Sequence, residues 1–243
     1  MNKKALFVLF ALLAPAAQAS EATAVPLAHV EINLKDTQSL QNGARLFMNF
    51  CLSCHSAQYM RYNRMAADLD IPEDVLRENL LFAGDKPGDL MRTTMPKTDA
   101  REWFGTAPPD LTLVARVRKP DWIYTFLKSF YLEEKSPSGW NNTLFENVAM
   151  PHILFELQGS QRATFKTDEH GGKKFDRFEL EKAGTMTPEQ YDAAMRDLTN
   201  FLAYMAEPIQ MRRYRIGALV LLFLGIFGVA AYLLKKEYWK DVH

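Results

Sequence analysis

The stretch Asn49-Phe50-Cys51-Leu52-Ser53-Cys54-His55 holds the only two cysteines in the 243-residue chain, with a histidine directly after the second. Thiols three positions apart leave a helical turn on one side. From there they can reach the two vinyl groups of a single haem, and the next residue sets its imidazole under the iron. C-x-x-C-H is the attachment pattern of c-type haem, so Cys51 and Cys54 are the expected covalent anchors and His55 the proximal iron ligand. A structural disulfide suits an exported chain but leaves His55 without a purpose. A thioredoxin-like redox pair needs a βαβ context that the pattern lacks, and a zinc site needs ligands beyond one cysteine pair.

The second axial ligand has to come from elsewhere. Most of the eleven methionines are expected to fill the core. Met95 in "TTMPKT" and Met150 in "NVAMPHIL" each stand before a proline in Gly/Pro-rich sequence, 40 and 95 residues after His55. His152 is a third candidate and would give bis-histidine ligation with a lower potential. Spacing and chemistry leave all three open, with the Met95 separation suiting a compact single-haem domain.

The elements that must position these residues are mainly helical. A first helix is expected over Thr37 to Phe50, with Leu40, Ala44, Phe47 and Cys51 on one face. Gly43 inside it is unfavourable for a helix and points to a partner helix crossing there. Residues 83–111 and 133–161 read as loop with short helical pieces, given their Gly, Pro, Asp and Asn content. Leu111 to Val117 and Asp121 to Tyr131 read as helices, the second with Trp122, Phe126 and Phe130 on one face. "TFKTDEHGGKKFDRFEL" reads as a hairpin turning on Gly171-Gly172. The last helix of the domain opens on a capping box, Thr187 to Gln190, with Pro188 at its first position. Its apolar face, Tyr191, Ala194, Met195, Leu198, Phe201, Leu202 and Met205, is the expected partner for the Gly43 gap, and Pro208 ends or bends it.

The two ends carry addresses. Lys3 and Lys4, the apolar run Ala5 to Ala14 and the small-x-small site Ala17-Gln18-Ala19 read as a cleaved export signal. Near the other end, Ile216 to Leu234 is uncharged and free of proline over 19 residues. That is about 28 Å of helix, close to the hydrocarbon thickness of a bilayer. Arginines 212, 213 and 215 and lysines 235, 236 and 240 bracket it, with Tyr214, Tyr232, Tyr238 and Trp239 as interfacial aromatics. Formal net charge is zero, and removing Lys3 and Lys4 leaves 27 basic against 29 acidic residues. No basic stripe points to nucleic acid.

Four segments in this order, "GARLFMNFCLSCHS", "GTAPPDLTLVARVR", "NVAMPHILFELQG" and "FLAYMAEPIQMRRYRIGALVLLF", resemble the cytochrome c1 family of bacterial cytochrome bc1 complexes over nearly the whole length. The resemblance implies a mainly α fold: a class I cytochrome c-like haem domain with loop-rich insertions, plus one C-terminal transmembrane helix. It implies one covalently bound haem c, with His55 and Met150 as axial ligands and Arg118 pairing a propionate. Pro108, Pro109 and Leu111 would wall the haem, and Trp122, with Tyr124 close by, would fall near a pocket aromatic. The organisation implied is a signal peptide over 1–19, a periplasmic haem domain over 20–211, an anchor over 212–236 and a cytoplasmic tail over 237–243, in a bacterial inner membrane. The function implied is electron transfer within ubiquinol–cytochrome c reductase, with no quinol chemistry on this chain. A Rieske iron–sulfur protein would donate, a cytochrome c would accept, and cytochrome b would be a further partner in a dimeric complex. Glu133-Glu134 and Asp168-Glu169 are candidate attractors for a basic partner. The rivals are a stand-alone membrane-anchored c-type carrier, a haem peroxidase with an open iron site, and a thiol redox protein. The denatured chain should keep its red pyridine haemochrome after acid–acetone extraction; colour passing into the acetone would sink the covalent reading.

Overall fold

The computed structural model describes residues 25–167 and 172–241. The expected export signal, the Asp168-Glu169 pair and Gly171 of the expected hairpin turn lie outside the described residues. In chain order the helices are α1 (Thr37–Leu46), α2 (Tyr62–Asp68), α3 (Glu73–Asn79), α4 (Lys97–Phe104), α5 (Val114–Val117), α6 (Pro120–Lys128), α7 (Phe155–Gln158), α8 (Pro188–Ala206) and α9 (Gln210–Tyr238). The strands are β1 (Ala57–Arg61), β2 (Leu90–Met91), β3 (Phe130–Leu132), β4 (Trp140–Asn142), β5 (Gly159–Thr167) and β6 (Lys173–Ala183). They pair as three separate antiparallel ribbons, β1–β2, β3–β4 and β5–β6.

α1 starts where the Asp36 carboxylate accepts from the Ser39 amide at 3.0 Å, an N-cap that satisfies one of the free donors of the first turn. It then lies across α8 at Gly43. A Cβ on Gly43 would sit 2.1 Å from the Asp197 carbonyl oxygen and 2.6 Å from Phe201 Cβ, so only glycine permits this approach. Phe47 and Phe201 meet beside it with ring centres 5.7 Å apart. The crossing read from the sequence is therefore present, with the expected partner.

α8 is capped as its sequence predicts. The Thr187 hydroxyl accepts from the Gln190 amide at 3.3 Å, and the Gln190 side-chain oxygen accepts from the Thr187 amide at 2.9 Å. Its buried face includes Tyr191, Met195, Leu198, Phe201, Leu202 and Met205. Burial of each such side chain contributes about 1.5–3 kcal/mol. Polar groups of α8 tie the rest of the domain to it. Tyr191 Oη donates to the Leu127 carbonyl at 2.9 Å and Tyr204 Oη to Asp68 at 2.8 Å, while the Asn200 amide holds Asn33 O and Ser39 Oγ.

Three expected boundaries change. The first helix does not run as regular α to Phe50: residues Phe47–Cys51 form a wide π turn, closed by the Leu52 amide on the Phe47 carbonyl at 3.0 Å. Such a turn adds a residue without breaking the helix. Only Val114–Val117 of the Leu111–Val117 stretch is helical, because Asp110 holds Thr112 in a side-chain-bonded turn. α6, expected over Asp121 to Tyr131, ends at Lys128, where the Thr125 and Ser129 hydroxyls bond back to the Asp121 and Thr125 carbonyls, and Phe130 and Tyr131 pass into β3. The β5–β6 hairpin is present, pairing Gly159 with Ala183 through to Thr167 with Lys173.

After Pro208 the chain enters α9, 29 residues with none buried. At 1.5 Å per residue it is about 44 Å long, enough to cross a bilayer and its interfaces. Arg213 on its first turn clasps Glu207 through two hydrogen bonds, 2.5 and 3.1 Å, bridging the bend.

Gly43→Ala should lower stability by about 1–3 kcal/mol, since the blocking atoms belong to helix backbone and cannot rotate away. Denaturant unfolding of the detergent-solubilised chain, followed by haem absorbance, measures it; an unchanged midpoint would rule out the tight crossing.

Candidate haem-attachment site

The π turn delivers Cys51 to the buried side of the domain. The Cys54 and His55 amides then both donate to the Cys51 carbonyl, at 3.1 and 2.8 Å, so the two thiols and the imidazole ride on one hydrogen-bonded turn. Cys51 is buried and Cys54 partly exposed; neither forms a disulfide. Burial, and then the neighbouring Cys54, push the Cys51 thiol up to about 12. It is a protonated thiol at neutral pH, the opposite of the lowered thiolate that a thiol redox centre needs.

His55 is 8 % exposed, and its Nδ1 lies 2.7 Å from the Pro109 carbonyl oxygen. A carbonyl can only accept, so Nδ1 carries the proton and Nε2 keeps a bare lone pair. Burial lowers its pKa and holds the ring neutral against the raising effects of the Pro109 carbonyl and Asp110. Nε2 makes no hydrogen bond among the described residues. The tautomer, the buried ring and the two adjacent free thiols fit a covalently attached haem with His55 as an iron ligand.

The Pro109 carbonyl is itself held. Asp110 accepts from the Gln58 amide at 2.8 Å and from the Thr112 amide and hydroxyl at 2.9 and 2.6 Å. The Leu111 amide donates to Ser56 O at 2.8 Å, and Leu111 packs half-buried on the core. On the other flank, Thr93 donates through its hydroxyl to Ser53 O at 2.6 Å and through its amide to Ser56 Oγ at 3.0 Å. Met95 follows, its amide on the Thr93 hydroxyl, and shares with Cys54, Pro108 and Pro109 a cleft of about 270 Å³.

A second group of the sequence-named residues gathers around α6. The Arg118 guanidinium lies 4.8 Å above the Trp122 ring and 5.9 Å from that of Phe145, with no ion pair among the described residues. Trp122 stacks on Phe126 at 5.0 Å, and Phe126 meets Phe130 edge-on at 5.0 Å. Tyr124 is buried, and its hydroxyl accepts from Lys128. Met150 is half-buried in the loop after β4, two residues before the fully enclosed His152. Of the acidic pair, Glu134 lies 3.8 Å from Arg162.

Several positioning residues escaped the sequence reading. Asp110 is one; its signal was the Asp-x-Thr spacing after Pro108-Pro109, which makes a side-chain-bonded turn. Asn141 and Asn142 are others. Both are buried, and their side-chain oxygens accept from the amides of Asn147, Leu144 and Phe145, while Asn142 Nδ2 donates to Phe126 O. They shape the loop that carries Met150.

Two free thiols and a buried neutral histidine on one turn, in a domain that continues into one long exposed apolar helix, fit a membrane-anchored c-type cytochrome. The family model described as the Cytochrome C1 family matches residues 30–168 and 180–242. The chain is 53% identical to cytochrome c1 of Allochromatium vinosum, over 99% of this chain and 100% of that one. It is 45% identical to the ammonia monooxygenase gamma subunit of Nitrosomonas europaea over 98% of each, and 27% identical to cytochrome c1 of Rhodospirillum rubrum over 85% of this chain and 83% of that one. The chain belongs to the cytochrome c1 family. It is a haem-bearing electron-transfer subunit of a bc1 complex, with one covalent haem c.

Asp110→Ala strips the acceptor from three donors and should cost about 1–3 kcal/mol while leaving haem attached. Unfolding of the haem-loaded protein in denaturant checks it; a midpoint equal to wild type would mean that Asp110 does not hold the Pro109 carbonyl in place.

Proposed function

We propose that this chain takes one electron from a Rieske iron–sulfur protein and passes it to a cytochrome c, on the outer face of a bacterial inner membrane. The observation that carries this reading is His55, buried, neutral and aimed by the Pro109 carbonyl, on the same turn as two free thiols. Haem, when bound, supplies a one-electron iron couple. The residues of the chain do the rest. Cys51 and Cys54 hold the group covalently, and His55 donates its Nε2 lone pair.

Met150 is the sixth ligand in this reading. A soft thioether raises the potential and fills the coordination sphere, which leaves no place for oxygen or peroxide. Met95 is the weaker candidate. Its backbone is tied through Thr93 to Ser53 and Ser56 beside the Cys-x-x-Cys-His turn, and the resemblance to the family favours the Met150 loop instead. Arg118 binds a propionate: it has no carboxylate partner among the described residues, and its guanidinium, which lies over the Trp122 ring, offers a fork of donors to a carboxylate. Pro108, Pro109, Leu111 and Trp122 contribute the pocket walls.

The chain is exported by residues 1–19, which are then removed. The domain over 20–211 stays in the periplasm, 212–236 crosses the membrane and 237–243 remains in the cytoplasm. Cytochrome b and the Rieske subunit are its partners in a dimeric complex, and quinol is oxidised away from this chain. Docking of the acceptor is brief, as suits a small charged surface, with Glu133 and the partly neutralised Glu134 among its candidate contacts.

Two measurements test this. Met150→Leu should abolish the methionine–iron charge-transfer band in the far red, lower the reduction potential and let the reduced protein bind carbon monoxide. Loss of the band in Met95→Leu but not in Met150→Leu would reassign the ligand. Purification in mild detergent should bring down a dihaem b-type subunit and a Rieske-type protein; a single red chain would favour the stand-alone carrier.

A further inference from the structure

His152 has no part in the function proposed above, yet it is 2 % exposed and two residues from Met150. Its ring lies flat on Phe130, centres 4.9 Å apart and planes 7° from parallel. The Trp140 ring meets it edge-on at 5.0 Å and 74°. Phe130 and Trp140 come from the two strands of the β3–β4 ribbon, whose register pairs Leu132 with Trp140 and Phe130 with Asn142. The imidazole is thus gripped from both strands of one ribbon. Phe130 continues the contact to Phe126, Trp122 and the Arg118 guanidinium. One aromatic column therefore runs from the proposed propionate arginine to the loop of the proposed axial methionine.

The chemistry of the ring fits a holding role. The ring stacks face-on with Phe130 and edge-on with Trp140, so it is held as an aromatic plate. Its Nε2 is buried without a hydrogen bond, and so is Oε1 of the neighbouring Gln158, whose Nε2 is occupied by the Lys128 carbonyl at 3.3 Å. Pro151 alone separates His152 from Met150. Proline fixes its own φ and restricts the residue before it, so the link from Met150 to His152 has few free torsions. The carbonyl of His152 also accepts from the Phe155 amide at 3.3 Å, which ties the loop to α7.

We infer that His152 is a positioning residue for Met150: gripped between Phe130 and Trp140, its ring fixes the Met150-Pro151 turn and limits how far the thioether can withdraw from the iron. This rests on Met150 being the sixth ligand. It makes His152 a support for that ligand rather than a ligand itself.

The test uses the full-length, haem-loaded protein in detergent, with His152→Ala, His152→Phe and Met150→Leu. Three quantities are read: covalent haem by pyridine haemochrome, the methionine–iron charge-transfer band, and the fraction of reduced protein that binds carbon monoxide. His152→Ala should keep haem at wild-type stoichiometry, lose most of the band and bind carbon monoxide several-fold more readily. His152→Phe, which restores the stack, should keep the band. If His152→Ala does not accumulate, His152→Leu replaces it, filling the volume without an aromatic face. A band and carbon monoxide response equal to wild type in the alanine or leucine variant would overturn the inference. So would loss of the band in His152→Phe as complete as in His152→Ala. A band that survives in Met150→Leu would instead remove the ligand assignment on which the inference stands.

Discussion

The approach of α1 to α8 at Gly43 sets the geometry on which the site depends. The clearance there is that of a hydrogen atom, since a methyl would collide with the Asp197 carbonyl. Helices this close bury their facing side chains completely, and Phe47 and Phe201 lock the contact. Because α8 also bonds to α6 through Tyr191 and to α2 through Tyr204, displacement of α1 would strain both flanks of the domain. The haem-attachment turn leaves α1 within one turn of this crossing. Its position is set by backbone contact, not by flexible side chains.

From that fixed start, two local devices aim the chemistry. The π turn over Phe47–Cys51 inserts one residue and brings Cys51 inward while leaving Cys54 partly open. The second device reaches across from a distant loop: the Pro109 carbonyl selects the His55 tautomer, and Asp110 braces that carbonyl with three accepted hydrogen bonds. The two thiols and the His55 ring thus have separate supports, one helical and one from a loop more than 50 residues on.

The Met150 side of the molecule is organised differently. Instead of a helix crossing, it relies on a short β ribbon, two buried asparagines and a column of aromatic rings. Asparagine suits the task because one side chain both accepts from loop amides and donates to a helix carbonyl, satisfying backbone that no regular structure covers. α9 adds the tether, and the Glu207–Arg213 clasp holds the bend at Pro208 between domain and anchor.

Much of this was legible from residue types and periodicity, because the governing forces are local. The attachment motif, the Thr187 capping box, the apolar faces of α1 and α8, the Gly43 gap and the uncharged run in α9 each depend on residues a few positions apart. Resemblance to one family, which the similarity to known cytochromes c1 bears out, supplied the electron-transfer role. Tertiary structure alone decided the rest. The His55 tautomer depends on a carbonyl 54 positions away. Phe130 and Tyr131 became strand where helix was expected, because serine and threonine hydroxyls closed α6 early and a partner strand was available. His152, indistinguishable in sequence from an iron ligand, is enclosed by aromatic rings from two strands. A motif states which atoms can react; which way they point depends on groups brought close only by folding.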